Sequence, residues 1–222
     1  MRAVITIRKT EKLTTAERHK QGSAWVYEAV RAYGVSDLDA DSCPIERTEK
    51  GKPYFPARPE VCFSVSHSGP YWACAVAERP VGLDIQKHKG GRLEEIARRF
   101  FHAEETAWLA QQGIEHFYDV WAAKESYVKW TGQGIDRHFD EFSVVADGRL
   151  IEAGPTCCFY HARWVQDYSL CLCGEEPWGE VQIVEVICQD GAIGMEEDRI
   201  GKESELIGAE EISQEGSAGG NI

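Results

Sequence analysis

The sequence predicts an α+β fold made of two halves that meet near Pro80. Three observations predict it. Strand-like and helix-like stretches follow in the order β, α, β, β up to residue 80, then β, three helices and four strands. At 222 residues, with 43% hydrophobic and 27% charged side chains, the chain is long enough to bury one large core or two smaller ones. No run approaches the roughly eighteen apolar residues that span a bilayer, so these elements must bury their faces against one another. The expected division is residues 1–80, residues 81–193 and an acidic tail, 194–222, read as disordered. No close repeat relates the halves, so any duplication is one of architecture.

Ala3 to Ile7 reads as a strand. Thr14 caps a helix running to Tyr33, with Trp25, Val26, Ala29 and Val30 on its apolar side and Gly34 closing it. Arg18, His19 and Lys20 form a basic cluster at its start, suited to a solvated face or to a phosphate contact. Gly and Pro mark a loop from Glu49 to Pro56 that presents Lys52. Cys62–Val65 and Tyr71–Ala77 alternate as strands, joined by an S-H-S-G-P turn. Val81 to Gln86 is a further strand, and K-H-K-G-G follows it as a basic turn. Leu93–Phe101, Ala103–Gln111 and Phe117–Trp130 read as helices, the last stopped by Gly132. Phe142–Val145, Cys157–Val165, Tyr168–Cys173 and Val181–Ile187 read as strands.

Charge and cysteines narrow the class. The net charge of −13 argues against nucleic acid as the main partner. Part of that charge lies from Gly194 onward, where eight acids face two bases. The eight cysteines mostly sit in apolar strands, with no C-x-x-C pair and no histidine at zinc spacing. They read as reduced thiols of a cytoplasmic protein. The N-terminus has no signal-peptide core.

Chemistry concentrates in two stretches. In the helix F-Y-D-V-W-A-A-K-E-S-Y-V-K-W, Trp121, Glu125 and Lys129 recur every four residues, with Lys124 beside Glu125. Taken alone this is an ordinary surface helix with a Glu–Lys pair. The strand V-G-L-D-I-Q changes that reading, because Asp84 stands where a hydrophobe is expected. Together, an acid on a strand and a glutamate on a lysine-flanked helix suit a hard cation held against a phosphate. Ser66, His67 and Ser68 read either as a turn whose hydroxyls cap backbone groups or as a hydroxyl-and-imidazole cluster for phosphate. A serine hydrolase is excluded. Adjacent strand residues face opposite ways, and there is no G-x-S-x-G elbow.

Several motifs then fall into one pattern: G-K-P at 51–53, F-S-V-S-H-S at 63–68, V-G-L-D-I at 81–85, R-F-F at 99–101, and W-A-A-K-E-S-Y-V-K-W-T-G-Q-G at 121–134. This set resembles the Sfp-type 4′-phosphopantetheinyl transferases over about Gly51 to Val145. The resemblance implies two similar α+β halves related by a pseudo-twofold, with the active site in the cleft between them, in a monomer. It implies transfer of the phosphopantetheine arm of coenzyme A to a serine of an acyl or peptidyl carrier protein of fatty-acid, polyketide or non-ribosomal peptide synthesis. It further implies Mg²⁺, with Mn²⁺ as an alternative, on Asp84 and Glu125. Lys129 and Lys124 are then phosphate contacts, Lys52, Ser66 and His67 contacts to coenzyme A. On the chemistry, Glu125 is expected to take the proton from the serine, directly or through a metal-bound water, and Lys129 to protonate or stabilise the leaving group. Gly132 and Gly134 let the loop pass close to the pantetheine arm.

Two departures qualify the resemblance. Gln86 replaces the usual second acid on the strand, so it is expected to ligate or orient water with one charge fewer and weaker Mg²⁺ affinity. Only about fifty residues precede G-K-P, and the family's early basic stretch is missing, so Arg18 or His19 is expected to take part of the adenosine-phosphate contact. Carrier recognition is expected near Lys87–Lys89 and Arg92–His102. The competing readings are a degenerate module that binds coenzyme A or a carrier without catalysis, motivated by Gln86, and another Mg²⁺-dependent nucleotide transferase, which lacks a P-loop.

Overall fold

In the computed structural model the described residues are 1–11, 13–133, 139–154, 156–162, 164–189 and 192–196; the side chains of His19 and of residues 187–196 lie outside them. β1 (Arg2–Lys9) leads to α1 (Thr15–Tyr33). Thr14 and Glu17 form a reciprocal capping box at its start, and left-handed Gly34 ends it. A short hairpin, β2 (Glu46–Arg47) and β3 (Pro53–Tyr54), fills the expected loop. β4 (Cys62–Ser68), β5 (Tyr71–Ala77) and β6 (Val81–Lys87) follow. The helices are α2 (Leu93–Phe100), α3 (Ala103–Gln112) and α4 (Phe117–Thr131). The chain then forms β7 (Val145–Ala146), β8 (Arg149–Leu150), β9 (Cys158–Ala162), β10 (Tyr168–Gly174), β11 (Glu180–Gln189) and β12 (Ala192–Glu196). None of the described helices is long and apolar enough to cross a membrane.

Two sheets stack between outer helices. The first has order β12-β11-β1-β5-β4 and the second β6-β10-β9. The inner layer is dry: Ala3, Ile5 and Ile7 of β1 and Ala73, Ala75 and Ala77 of β5 meet Val81, Leu83, Ile85, Leu170 and Leu172. The small alanines let the sheets approach closely. α1 covers the outer face of the first sheet through Trp25, Val26 and Val30 against Trp72, Cys74 and Val76. α2, α3 and α4 cover the second sheet, with Phe101, Phe117, Val120 and Ala123 against Phe159, Cys171 and Cys173. β5 and β10 thus alternate between two apolar layers.

Four expectations differ from what is found, the first being Phe142–Val145, where the strand β7 begins only at Val145. β11 lies parallel to β1, Arg2 opposite Glu180, so residues 180–189 complete the first sheet although they were assigned with residues 81–193. β12 extends the ladder to Glu196, past the expected start of the tail at 194; residues 197–222 lie outside the described residues. β4 runs on through Ser66, His67 and Ser68, and the turn itself is Gly69-Pro70. The seven described cysteines are unpaired and mostly buried.

Candidate active site

One glycine determines how the site comes together. A Cβ at Gly82 would stand 1.9 Å from the Ser126 carbonyl oxygen and 2.5 Å from the Trp130 nitrogen, so α4 lies directly on the β6 backbone. From that contact, two residues along the strand is Asp84, while Glu125 and Lys129 flank the contact on the helix. β6 therefore points Val81, Leu83 and Ile85 into the dry layer and turns Gly82, Asp84 and Gln86 toward α4.

Asp84 is 1% exposed and held at both oxygens. Its Oδ1 accepts from Lys129 Nζ at 2.6 Å and from Ser66 Oγ at 2.8 Å. Its Oδ2 accepts from Gln86 Nε2 at 2.9 Å. Because a carboxylate only accepts here, the contacting Gln86 atom must be nitrogen, which turns the amide oxygen away from Asp84. Lys129 also donates to Ser66 Oγ at 2.9 Å. Glu125 is 6% exposed, and its pKa is pushed up to about 7. Burial is the main cause, the Asp84 charge adds to it, and Lys129 opposes it.

These groups stand where two clefts meet. A cleft of about 570 Å³ is lined by Asp84, Gln86, Lys87, Lys89, Leu93, Ile96, Tyr118 and Trp121. A second, of about 740 Å³, is lined by Arg18, Arg47, Lys50, Lys52, Val128 and Gly132. His67, Glu125 and Lys129 line both. Lys52 Nζ donates to the Trp130 carbonyl at 2.7 Å, and burial lowers its pKa. Arg18 donates to the Leu13 and Gly69 carbonyls, which braces the start of α1. Gly132 closes α4 in the left-handed region (φ 69°) and would meet Lys52 if it carried a Cβ, so its backbone stays low over the second cleft. The Gly134 backbone and the His19 side chain lie outside the described residues.

Lys124 does not join this group. Its side chain is 0% exposed and donates to Glu105 Oε1 at 2.8 Å and to the Phe142 carbonyl at 2.6 Å, with Nζ 4.0 Å from the Phe142 ring centre. Glu105 also accepts from the Val144 and His102 backbone nitrogens. Burial drives the Lys124 pKa down and the Glu105 pKa up, and each charge opposes the shift of the other. Lys124 thus ties α3 and the residue 142–144 segment to α4 and faces away from both clefts. The signal was present in the spacing: Lys129 is one turn from Glu125, whereas Lys124 is about 100° around the helix. Glu105 escaped the sequence reading because its partner is nineteen positions away and only packing brings them together.

Of the two readings offered for Ser66 and Ser68, the one in which their hydroxyls cap backbone groups is found, on a strand and not in a turn, and Ser64, which the sequence did not single out, joins them in a row. Ser64, Ser66 and Ser68 Oγ accept the backbone N–H groups of Leu83 at 3.0 Å, Ile85 at 3.3 Å and Lys87 at 2.9 Å. β6 is an edge strand of its sheet, and these hydroxyls take the place of a neighbouring strand. Both clefts open along this seam.

The chemical content is two buried carboxylates, one of them poised near neutrality, a lysine between them, and an adjoining basic cleft. Among the described residues no cluster of three or more His, Cys, Asp or Glu is arranged to hold a metal ion. Asp84 and Glu125 do fit an ion that takes two protein carboxylates and completes its shell with water and phosphate, and their mutual repulsion marks a place for positive charge.

Comparison with known proteins gives one family. Residues 80–173 match the 4′-phosphopantetheinyl transferase superfamily (ACPS). The chain is similar to a 4′-phosphopantetheinyl transferase of Bacillus subtilis, with 38% identity over 161 residues, 67% of this chain and 69% of the relative. It is 39% identical over 150 residues to 4′-phosphopantetheinyl transferase Sfp of Bacillus subtilis strain 168, covering 63% and 66%. A third relative, 4′-phosphopantetheinyl transferase psf-1 of Bacillus pumilus, is 31% identical over 163 residues, covering 69% and 70%.

Proposed function

The chain belongs to the 4′-phosphopantetheinyl transferase superfamily, and from that premise we propose that it moves the phosphopantetheine arm of coenzyme A onto a serine of a carrier protein, releasing adenosine 3′,5′-bisphosphate. The observation that carries the reading is the convergence of Asp84, Glu125 and Lys129 where the two clefts meet. Arg47, Lys50 and Lys52 in the second cleft suit the phosphates of coenzyme A, with His67 between the two clefts. The apolar wall of the first cleft, Leu93, Ile96, Tyr118 and Trp121, suits the uncharged arm.

Asp84 and Glu125 would hold Mg²⁺, which when bound neutralises charge on the pyrophosphate. Glu125 receives the proton of the incoming serine hydroxyl. The raised Glu125 pKa of about 7 belongs to the metal-free protein, and Mg²⁺ held on the same carboxylate would draw it back down, so the base role rests on its place at the junction of the clefts. Lys129, released from Asp84, supplies positive charge to the leaving phosphate. Gln86 keeps Asp84 oriented through its amide nitrogen.

The carrier surface is proposed around α2, where Phe100 is 41% exposed and Arg98 and Arg99 are exposed beside it, near Lys87 and Lys89. Basic side chains around an exposed ring suit an acidic, helical carrier even though this chain is itself acidic. The enzyme is proposed to be cytoplasmic and monomeric, in keeping with its free thiols.

The test is release of adenosine 3′,5′-bisphosphate, followed by chromatography, in reactions that contain or omit an apo carrier protein. Release that needs the carrier, and that falls at least a hundredfold in Glu125→Ala, supports the reading, since such groups typically contribute about 10²–10⁴-fold. Near-normal turnover by Glu125→Ala removes Glu125 from the proton transfer.

A further inference from the structure

We infer that His88 and Ser169 are positioning residues for carrier recognition: with Asp119 they anchor the K-H-K-G-G turn to α4, so that Lys89 is presented at a fixed place beside the first cleft. The inference rests on the carrier-surface reading above and deepens it with residues from three separate elements: the turn after β6, strand β10 and helix α4.

A continuous line of hydrogen bonds carries it. Ser169 is 4% exposed on β10, and its Oγ donates to Asp119 Oδ1 at 2.6 Å. That bond uses the one proton a serine hydroxyl has, so His88 Nε2, 2.8 Å from the same oxygen, must be the donor there. His88 therefore carries a proton on Nε2. Asp119 Oδ2 takes a further bond from His116 Nδ1 at 3.0 Å, so both carboxylate oxygens are engaged. The His88 ring also lies flat on Tyr118, with 5.1 Å between centres and 9° between planes, and its backbone N–H donates to the Asp167 carbonyl at 2.8 Å. Tyr118 completes the tie by donating its hydroxyl to the Lys89 carbonyl at 3.1 Å.

The turn alternates around this anchor. His88 faces inward and is half-buried, while Lys87 and Lys89 on either side are exposed and line the first cleft with Tyr118. Lys87 is held independently, by its place in the β6–β10 ladder and by Ser68. Lys89 lies beyond the last ladder pair and just before two glycines, so it depends on the tie through His88 and Tyr118 for its place. A lysine already held in position loses less of its attraction for an acidic partner than one that must be ordered on docking.

The test is steady-state transfer at saturating coenzyme A with the concentration of apo carrier protein varied, alongside calorimetric titration with coenzyme A. His88→Ala is expected to raise KM for the carrier about three- to tenfold, the scale of one or two charge contacts at an interface rim. Its kcat and its Kd for coenzyme A should stay within about twofold of wild type. Ser169→Ala should give a similar rise, and the double variant His88→Ala/Ser169→Ala no more than either alone, because both cut the same line. His88→Gln, whose amide nitrogen replaces the Nε2 donor, should recover most of the carrier KM. In a Lys89→Ala background His88→Ala should add nothing, which separates presentation of the lysine from a general loosening of the fold. His88 is only half-buried, so the His88 and Lys89 comparisons decide the matter even where Ser169→Ala fails to fold. An unchanged carrier KM in His88→Ala would overturn the inference, as would a fall in kcat or weaker coenzyme A binding with the carrier KM intact. A rise of the same size with Lys89 absent would overturn it in favour of a general effect on the turn. Wild-type protein that makes no product refutes the transferase reading itself, and a carrier KM indifferent to Lys89→Ala refutes the carrier surface there; both results are read before the His88 variants are compared.

Discussion

The buried Glu105–Lys124 pair allows the sharpest separation of stability from catalysis. Lys124 lies beside the base in sequence, yet its ammonium is 0% exposed and held by Glu105 and the Phe142 carbonyl. Lys124→Met leaves the Glu105 carboxylate buried without its counter-ion; breaking such a pair from one side costs about 3–5 kcal/mol. Glu105→Ala strands the ammonium and also removes the acceptor for the Val144 and His102 N–H groups, so it should lie at the top of that range. The double variant Glu105→Gln/Lys124→Met removes both charges, and the amide oxygen it introduces would keep an acceptor for Val144, so most of the loss should return. Replacing a buried pair with uncharged groups is often neutral. The assay is urea unfolding alongside kcat and KM for coenzyme A. The double variant should be folded, with kcat and KM within about threefold of wild type, because nothing it removes faces the clefts. A folded double variant with wild-type stability and a large rise in KM would refute the reasoning and return Lys124 to the phosphates.

Two further predictions follow from the same geometry. In metal-free protein Glu125 holds a proton between its ordinary value of 4.5 and about 7 that the unfolded chain has already released. Stability therefore falls as pH rises through that window, by about 3 kcal/mol in all, and Glu125→Gln should flatten this part of the curve in denaturant titrations with a chelator present; equal slopes in both proteins would contradict the assigned burial. Gly82→Ala should destabilise by about 3 kcal/mol or more, since its Cβ meets backbone atoms of Ser126 and Trp130 that cannot step aside without moving α4. A wild-type melting temperature for that variant would show that the strand and helix are not in contact there.

Local signals were the legible ones. Thr14, Glu17 and Gly34 announce α1, and Gly132 announces the end of α4. Asp84 stood out because an acid broke an apolar strand, and the four-residue spacing of Glu125 and Lys129 placed them on one face. The rest depended on distant pairing. The return of β11 to β1 is parallel and 178 residues away in the first register pair, Arg2 with Glu180, so no local pattern encodes it. The alternation S-x-S-x-S was visible at 64, 66 and 68, but small polar residues beside Gly-Pro resemble a turn, and only the arrival of β6 gives those hydroxyls their partners. Gln86 was read as a metal ligand from its place in the motif. Its amide nitrogen on Asp84 adds an orienting role that sequence alone does not reveal.

The most direct measurement is the intact mass of an apo carrier protein incubated with this protein, coenzyme A and Mg²⁺, with a matched reaction containing Gln86→Glu. A gain of one phosphopantetheine unit per carrier with the wild-type protein, absent without coenzyme A, is the predicted result. No gain with either protein across several acyl and peptidyl carriers would contradict the account, and a gain with Gln86→Glu alone would make the natural chain a binding module whose missing acid is its lesion.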